Sequence, residues 1–434
     1  MSISSEKLAI DGGTPVRTEP FPPRRLISEE EKSAAIEVFD ESIEKGEAFG
    51  YIGRRVYLFE REFADFLGGG YAKAVNSGTS AVLTALAALE LEPCSEVICP
   101  PISDPGGVMP IVMMNCIPVP ADTNEFSFNT GPEQVAAVIT ERTRAILVAQ
   151  IMGEPVDIAP ILDIAHERGI YVIEDAAQAH GAIYRDRYVG TWGDIAAFST
   201  MFGKHITTGG QGGIVFTKND KLFWNARQFM DRGKEILPEH VPNLDDPNAE
   251  IPPYPVSTGK NVRLGLNLNS HELAAAIGRV QSRKLPWIVQ RRQEIAAKIS
   301  DGIKSLQTVS PGKIVDNAKP SYWYFRLTVD SSRLKVDKDT FVKALAAEGI
   351  PVVPSYYHVP AWQDWFINQK TYGKSGYPWT CSEYPGPRNP KYELPNCQKV
   401  LASNFLLAIH ENWTDREIQD TIDALVKVEK AYLK

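Results

Sequence analysis

Cysteine is scarce in this chain and follows no recognisable pattern. The 434 residues include five cysteines, Cys94, Cys99, Cys116, Cys381 and Cys397, with no Cys-x-x-Cys spacing among them. An odd number of scattered cysteines is typical of reduced thiols in a cytoplasmic protein. We therefore expect a cytoplasmic location, five free thiols and no metal site.

Other absences narrow the class of function. No apolar run reaches the roughly 18 residues of a membrane-spanning helix, and the opening MSISSEKLAIDGGTPVR has no apolar secretory core. The formal net charge is −8 without a long basic run, which argues against nucleic acid or a membrane as partner. Neither G-x-G-x-x-G nor G-x-x-x-x-G-K-[ST] occurs, so a nucleotide-dependent oxidoreductase is disfavoured.

What the sequence does contain is an alternation of strands and helices between Tyr71 and Thr217. Apolar strand patterns such as SEVICP, TRAILVAQ and IYVIED alternate with helical patterns such as SGTSAVLTALAALEL. This order predicts an α/β fold, with a mostly parallel sheet that is covered by helices. After about Gln307 the pattern becomes α+β, with SYWYFRLTV as a predicted strand. We predict an N-terminal arm and helix over residues 1–50, a large domain over 51–290 and a small C-terminal domain over 291–434.

Three groups follow strands of the predicted sheet, where ligands of such sheets bind. Ser77, Gly78 and Thr79 begin a helix directly after a strand, which favours an anion. Asp175 ends an apolar strand and needs a partner if it is buried. Lys204 comes shortly after the strand that ends near Ser199.

Each group has an ordinary explanation by itself, because serine and aspartate cap helices well and a lysine is usually exposed. Together they match the needs of pyridoxal 5′-phosphate (PLP). The lysine would form a Schiff base, the aspartate would keep the pyridine nitrogen protonated, and the helix start would hold the phosphate. The glycines of TTGGQGG precede a strand, so we expect close backbone packing or positive φ there.

With these motifs the chain resembles the DegT/DnrJ/EryC1/StrS family of PLP-dependent sugar aminotransferases, which have fold type I. The resemblance covers nearly the whole chain, through LAIDGGTPVR, FEREFADFLG, NSGTSAVLTAL, VIEDAAQAHGA, VGTWGDIAAFST, LPNCQKV and IHENWTDREI. It implies a large domain with a mostly parallel mixed sheet plus a smaller α+β domain. The implied reaction moves an amino group from glutamate or glutamine to a keto sugar or keto cyclitol, which is either free or nucleotide-linked.

The resemblance also implies roles for individual residues around the cofactor ring. Lys204 matches the Schiff-base lysine, Asp175 the partner of the pyridine nitrogen, and Gln178 a contact of the ring hydroxyl. An aromatic residue usually stacks on the ring at the position of Asp104, so Asp104 is a candidate contact that departs from the family pattern. Lys204 and Asp175 are the candidate catalytic residues.

Further candidates concern the phosphate, the substrate and a second subunit. The implied phosphate contacts are Gly78, Thr79 and Ser199. An asparagine of a neighbouring subunit also reaches the phosphate in the family, which implies a homodimer with a shared active site; Asn267 and Asn269 both fit that motif. The candidate substrate contacts are Tyr51, Tyr357 and His358.

Two further departures and one histidine bear on the reaction. After the lysine, family members usually read Thr-x-Gly-Glu-Gly-Gly, whereas this chain has TTGGQGG, in which Gln211 replaces the acid and one glycine is extra. Gln150 stands where a histidine is common. In one branch of the family a histidine replaces the lysine, and those members are sugar 3-dehydratases. Here Lys204 holds that position, and its neighbour His205 has a loop hydrogen bond as its ordinary explanation. We therefore expect transamination; the alternatives are a PLP-dependent sugar dehydratase or epimerase, or a non-catalytic PLP-binding protein.

Overall fold

The protein was analysed as a computed structural model that describes residues 7–237, 246, 257–387 and 391–434. Its α-helices are α1 (Glu29–Lys45), α2 (Arg54–Phe66), α3 (Gly78–Ala88), α4 (Pro105–Met113), α5 (Pro132–Ala136), α6 (Ile158–His166), α7 (Asp220–Met230), α8 (Glu272–Gly302), α9 (Lys338–Ala347), α10 (Asp364–Ile367), α11 (Pro395–Ser403) and α12 (Asp415–Tyr432). Within the described ranges, no helix combines the length and the apolar character that crossing a membrane requires.

The strands are β1 (Tyr71–Val75), β2 (Glu96–Cys99), β3 (Ile117–Pro120), β4 (Thr143–Ala149), β5 (Tyr171–Asp175), β6 (Ile183–Tyr184), β7 (Arg187–Tyr188), β8 (Ile195–Ser199), β9 (Gly213–Thr217), β10 (Lys234–Ile236), β11 (Ser257–Asn261), β12 (Val309–Pro311), β13 (Ala318–Lys319), β14 (Phe325–Val329), β15 (Val352–Val353) and β16 (Asn404–Leu407).

Seven strands form the central sheet, in the order β1-β9-β8-β5-β4-β2-β3. Strands β8, β5, β4, β2 and β3 are parallel, whereas β9 runs antiparallel to both β1 and β8. The reversal follows from the connection between β8 and β9, because residues 200–212 contain no helix to carry the chain back for a parallel strand. The predicted mostly parallel sheet is thus confirmed.

Strand β4 shows how the sheet is covered on both faces. Ala145 and Leu147 pack in a core with α3 and α4, whereas Ile146 and Val148 pack in a core with α6. This alternation is the period of two that a strand imposes on its side chains. It explains why TRAILVAQ is apolar without a break.

A second sheet of four antiparallel strands, β12-β14-β16-β15, lies in the C-terminal part of the chain. Helix α8 reaches both parts without ending at Pro286. It contributes Ile288 and Val289 to a core with α2, and Ile295 and Ile299 to a core with α9 and α12. The change of core falls near the predicted boundary at residue 290; the domain limits themselves stay predictions.

The predicted strand SYWYFRLTV is only half correct. Strand β14 begins at Phe325, and the preceding residues are irregular. Ser321 N donates to Gly153 O at 2.9 Å and Trp323 N donates to Met152 O at 2.9 Å. These bonds hold residues 321–323 against Met152 and Gly153 instead of in the four-stranded sheet.

The strand β3 closes one end of the central sheet. Ile117 N donates to Ser95 O and Ala121 N to Cys99 O, so Pro118 and Pro120 face away from β2. The side of β3 is covered by the segment from residue 360 to residue 394, here called the cover segment. Its Phe366, Trp379 and Tyr384 pack in one core with Ile117 and Val119 of β3.

A disulfide joins the cover segment to the start of β2. It connects Cys94 to Cys381, with Cα atoms 6.5 Å apart. The prediction of five free thiols is therefore wrong for this pair, although Cys99, Cys116 and Cys397 are free and buried. This disulfide could not be predicted from cysteine spacing, because spacing rules detect only local pairs and the two cysteines are 287 residues apart.

Candidate active site

A cavity opens at the carboxyl edge of the central sheet, where the loops after β1, β2, β5 and β8 meet. It is lined by Ser77, Gly78, Thr79, Val82, Asp104, Gly106, Gly107, Asp175, Ala177, Ser199, Met201, Lys204 and Gln211. The parallel strands bring these residues together because their carboxyl ends share one edge. The three groups that the sequence singled out therefore line one cavity.

The start of α3 forms one wall. Ser77 is the N-cap, and its side chain accepts a hydrogen bond from Ser80 N at 3.1 Å. The first backbone N–H groups of α3 are thus near the cavity, together with the positive end of the helix dipole. Such a helix start favours a phosphate or another anion.

Asp175 lies at the end of β5 and is 8% exposed. One carboxylate oxygen accepts from Ala177 N at 3.1 Å. Burial raises the pKa of Asp175 to about 6, while this hydrogen bond and the Lys204 charge act in the opposite direction. A carboxylate held this way can pair with a cationic group of a ligand, which would restore its ordinary ionisation.

Lys204 reaches the same cavity from the loop after β8. Its side chain is 7% exposed, and among the described residues its Nζ has no hydrogen-bond or ion-pair partner. The indole of Trp323 lies against it, with Nζ 4.0 Å from the ring centroid. Burial lowers the pKa of Lys204 to about 8, and Asp175 and Asp104 raise it. With this pKa about a tenth of the amine is neutral at pH 7, far more than for an ordinary lysine, and the neutral amine can attack a carbonyl or accept a proton.

Gln178 and Asp104 differ in their position relative to the cavity, which the sequence alone could not predict. Gln178 does not line the cavity; its Oε1 accepts from Met152 N at 2.9 Å and its Nε2 donates to Tyr356 OH at 3.2 Å. Asp104 does line it, as the exposed N-cap of α4 that accepts from Gly106 N at 2.9 Å. In the described ranges no aromatic ring lines the cavity, so the ring that Asp104 replaces is not supplied there.

Two aromatic residues near the site were missed. Trp323 covers Lys204, and Tyr356 bonds to Gln178. The predicted substrate contacts of this stretch, Tyr357 and His358, are exposed instead. Adjacent residues of extended chain point in opposite directions, and the pattern VPSYYHV alone could not decide which of its aromatic residues points inward.

The remaining candidates lie outside the cavity lining. Tyr51 OH accepts hydrogen bonds from Arg232 at 2.8 Å and from Lys234 at 3.0 Å. Asn269 Nδ2 donates to Asn267 Oδ1 at 3.0 Å, and Asn267 is exposed. The single chain therefore does not bring either asparagine into its own cavity.

The other departures have structural explanations. Gln150 is buried, with its Nε2 on Glu174 at 3.2 Å and its Oε1 accepting from Val156 N at 2.6 Å. His205 is also buried, and its Nε2 lies 3.1 Å from Ser321 O, which is the loop hydrogen bond expected for it. Gly209 has φ +109°, as expected of a tight return into β9. For Gln211 the structure offers no explanation beyond its exposed position at the cavity.

The residues present fit PLP. A Cβ on Gly78 would lie 2.7 Å from Ser199 Cβ, and one on Gly107 would lie 2.8 Å from Asp175 Oδ2. The glycines thus let the helix starts approach the strand ends closely around an open space. That space contains a helix start for a phosphate, a buried carboxylate for a protonated ring nitrogen, and an unpaired amine for an aldehyde.

We expect Gly78→Ala to weaken PLP binding about tenfold or more, because overpacking here pushes α3 away from Ser199. Titration of the cofactor-free protein with PLP measures the change. Gly210→Ala is the matched control, since a Cβ at Gly210 meets nothing within 4 Å. Equal affinities of the two variants would contradict the role of Gly78.

Comparison with known proteins agrees with this site. Residues 29–426 match the DegT/DnrJ/EryC1/StrS aminotransferase family. A putative L-glutamine:3-amino-2,3-dideoxy-scyllo-inosose aminotransferase of Micromonospora echinospora is 27% identical over 98% of this chain and 97% of its own. A dTDP-3-amino-3,4,6-trideoxy-alpha-D-glucose transaminase of Streptomyces venezuelae is 30% identical over 71% and 74% of the two chains.

Another relative has a different reaction in its name. A dTDP-4-dehydro-2,6-dideoxy-D-glucose 3-dehydratase of Saccharopolyspora spinosa is 30% identical over 74% of this chain and 70% of its own. Among solved structures, an aminotransferase of Psychrobacter cryohalolentis has a TM-score of 0.79 at 27% identity, covering 94% of this chain and 98% of that one. By its family match, its fold and its site, this chain belongs to the DegT/DnrJ/EryC1/StrS family of aminotransferases.

Proposed function

We propose that this enzyme transfers an amino group from glutamate or glutamine to a keto sugar or keto cyclitol, and that Lys204 binds PLP covalently. The observation that carries the proposal is the buried Lys204 amine, for which the described residues provide no hydrogen-bond acceptor. It faces a cavity that Asp175 also lines, and its pKa is lowered to about 8. A lysine in such surroundings is suited to nucleophilic and base chemistry.

When bound, PLP would supply an electron sink for the substrate carbon that exchanges its amino group. Lys204 would then move a proton. In the half-reaction with the amino donor, its neutral Nζ would accept a proton from the donor carbon, and in the half-reaction with the keto substrate, its protonated Nζ would return one to the carbon that receives the amino group. The ring of Trp323 lies against Nζ and contributes to the burial that lowers the pKa of Lys204. The low pKa matters because an amine with the ordinary lysine value would be almost fully protonated at neutral pH.

Asp175 would hold the proton on the pyridine nitrogen, and the start of α3 would bind the phosphate through Gly78 and Thr79, with Ser199 opposite. The close approach of Gly78 to Ser199 supports this division of the cavity into two ends. Gln178 stays a predicted contact of the ring hydroxyl, and Asp104 a predicted ring contact without stacking.

We also propose a homodimer in which Asn267 or Asn269 completes the neighbouring site. Both lie outside the cavity of their own chain, as a contribution to a partner requires. Tyr51, Tyr357 and His358 remain proposed substrate contacts, and the cytoplasm remains the proposed location. The sugar and cyclitol aminotransferases among the relatives support the substrate class.

A sugar dehydratase is the second candidate, because one relative carries that name. Two observations favour transamination. Lys204 reaches the cavity, and His205 lies outside it with its ring bonded to Ser321 O. A histidine that replaced the lysine would have to face the cavity instead.

The two candidates differ in their need for an amino donor. We expect the PLP-loaded protein to convert to its pyridoxamine phosphate form when glutamate or glutamine is added, and to return when a keto sugar or keto cyclitol is added. Absorbance spectra follow both halves separately. Loss of water from a sugar without donor consumption would support the dehydratase, and no spectral response to either donor would contradict transamination.

A further inference from the structure

Three charged side chains lie together behind Lys204, away from the cavity. Arg24 Nε is 2.8 Å from Glu411 Oε1, and Arg292 Nε is 3.0 Å from Glu411 Oε2. The side chains of Arg292 and Glu411 are each 3% exposed, and that of Arg24 is 19% exposed. We call this group the Arg24–Glu411–Arg292 triad. It joins the N-terminal arm, helix α8 and the loop before α12.

One guanidinium of the triad holds the main chain of Lys204 itself. Arg24 donates to Lys204 O at 2.6 Å and to His205 O at 2.7 Å. With Glu411, these bonds engage all three nitrogens of the guanidinium. A planar donor with several fixed directions determines the position of the two carbonyl groups more strictly than an ammonium group can.

The other guanidinium holds the segment that covers the lysine. Arg292 donates to Tyr322 O at 2.8 Å and to Trp323 O at 3.0 Å. Trp323 in turn donates from its indole Nε1 to Gly203 O at 2.8 Å, and its ring lies against Lys204 Nζ. Glu411 therefore connects two arginines with different contacts: Arg24 binds the backbone of Lys204, and Arg292 binds the backbone of Trp323, whose ring covers the amine.

Attachment of the arm does not account for Arg24, because Arg17 already provides it. Arg17 is 2.8 Å from Glu417 and 2.7 Å from Asp420, both on α12, and it donates to carbonyl groups of the arm itself. Within the described part of the chain, Arg17 makes no hydrogen bond or ion pair with the Lys204 loop. The two arginines of the arm thus have different roles: Arg17 anchors the arm to α12, and Arg24 binds the loop that carries Lys204.

We propose that Arg24 and Glu411 are positioning residues for Lys204, which fix its backbone so that its amine stays at the cavity. The inference rests on the proposed function, since it concerns the lysine that would bind PLP. A displacement of about 1 Å in such a group can lower a rate a hundredfold. The carbonyl groups of Lys204 and His205 would lose their donors without Arg24.

The test uses the full-length protein freed of cofactor, with two probes. PLP can bond covalently to Lys204, whereas pyridoxamine phosphate lacks the aldehyde and reports only on the rest of the site. We expect Arg24→Ala to slow covalent attachment of PLP at least tenfold while the Kd for pyridoxamine phosphate changes less than twofold. Added methylguanidinium should restore part of the rate, since the Arg24 position is partly open to solvent.

Arg17→Ala is the matched control: it should lower the melting temperature and leave the attachment rate within twofold of wild type. Arg24→Lys keeps the positive charge opposite Glu411 but loses the planar guanidinium with its several donors, so we expect an intermediate attachment rate. If Arg24→Ala does not fold, Arg24→Lys takes its place in the test. Wild-type attachment rates in both Arg24 variants, or equal slowing by Arg17→Ala, would overturn the inference alone. A wild-type protein that attaches no PLP at Lys204 would overturn the proposed function as well.

Discussion

Lys204→Ala is expected to lose the covalent PLP adduct completely and to reduce turnover about 10⁴-fold. The variant removes both the amine that bonds to PLP and the group that moves the proton at the substrate carbon. The cavity loses no ion pair, because Lys204 Nζ has none among the described residues, so the fold should survive the change. Absorbance of the loaded protein, borohydride reduction followed by mass measurement, and amino-transfer assays measure the three losses.

Lys218→Ala is the control for this variant. Lys218 is exposed just after β9, so its loss changes the net charge equally without touching the cavity. It should retain the adduct and wild-type turnover. Undiminished turnover in Lys204→Ala would show that another group does the chemistry, and the proposed function would have to be abandoned.

Asp175→Asn should have the second largest effect, a decrease in turnover of about 10²–10³-fold. A neutral amide of the same shape cannot balance the positive charge of a protonated ring nitrogen. The ring would therefore accept electrons from the substrate carbon less readily, although PLP would still bind covalently to Lys204. The expected pattern is therefore a normal adduct yield with a low kcat. A loss of the adduct in this variant would instead assign Asp175 a structural role.

Asp175→Asn should also change how the stability of the cofactor-free protein depends on pH. Because the folded state raises the pKa of Asp175 from 3.8 to about 6, its protonated form stabilises that state below about pH 4, and this contribution is lost as the pH rises through 6. The shift corresponds to about 3 kcal/mol. Urea unfolding between pH 4 and 7 should show a smaller decrease for Asp175→Asn than for wild type, whereas Asp163→Asn, an exposed carboxylate of α6, should follow wild type.

The sequence was sufficient to predict the positions of those site residues that lie at the ends of strands of the central sheet. Ser77 and Lys204 follow β1 and β8, and Asp175 is the last residue of β5. Strands of one sheet bring such positions to one edge. The capping of α12 by Thr414 and Glu417 likewise depends on neighbours in sequence. For these features local pattern and topology point to the same answer.

What the sequence could not reveal depends on irregular backbone and distant partners. Arg24 contacts Lys204 across a separation of 180 residues and Glu411 across 387, and neither contact follows from any period of the chain. Trp323 reaches Lys204 because residues 321–323 leave the strand pattern that SYWYFRLTV suggests. Cys94 and Cys381 meet only because the cover segment packs on β3.

The ends of the central sheet also have a consequence for the behaviour of the protein at high concentration. A sheet edge with free N–H groups can recruit a strand from another molecule and start aggregation. At β3 the two outward positions are Pro118 and Pro120, which have no N–H to offer, and Tyr392 OH occupies Pro118 O at 3.3 Å. At β1, the other end, Glu60 accepts from Ala74 N at 2.9 Å. Proline residues at β3 and the Glu60 carboxylate of α2 at β1 thus occupy outward hydrogen-bonding positions at both borders of the sheet.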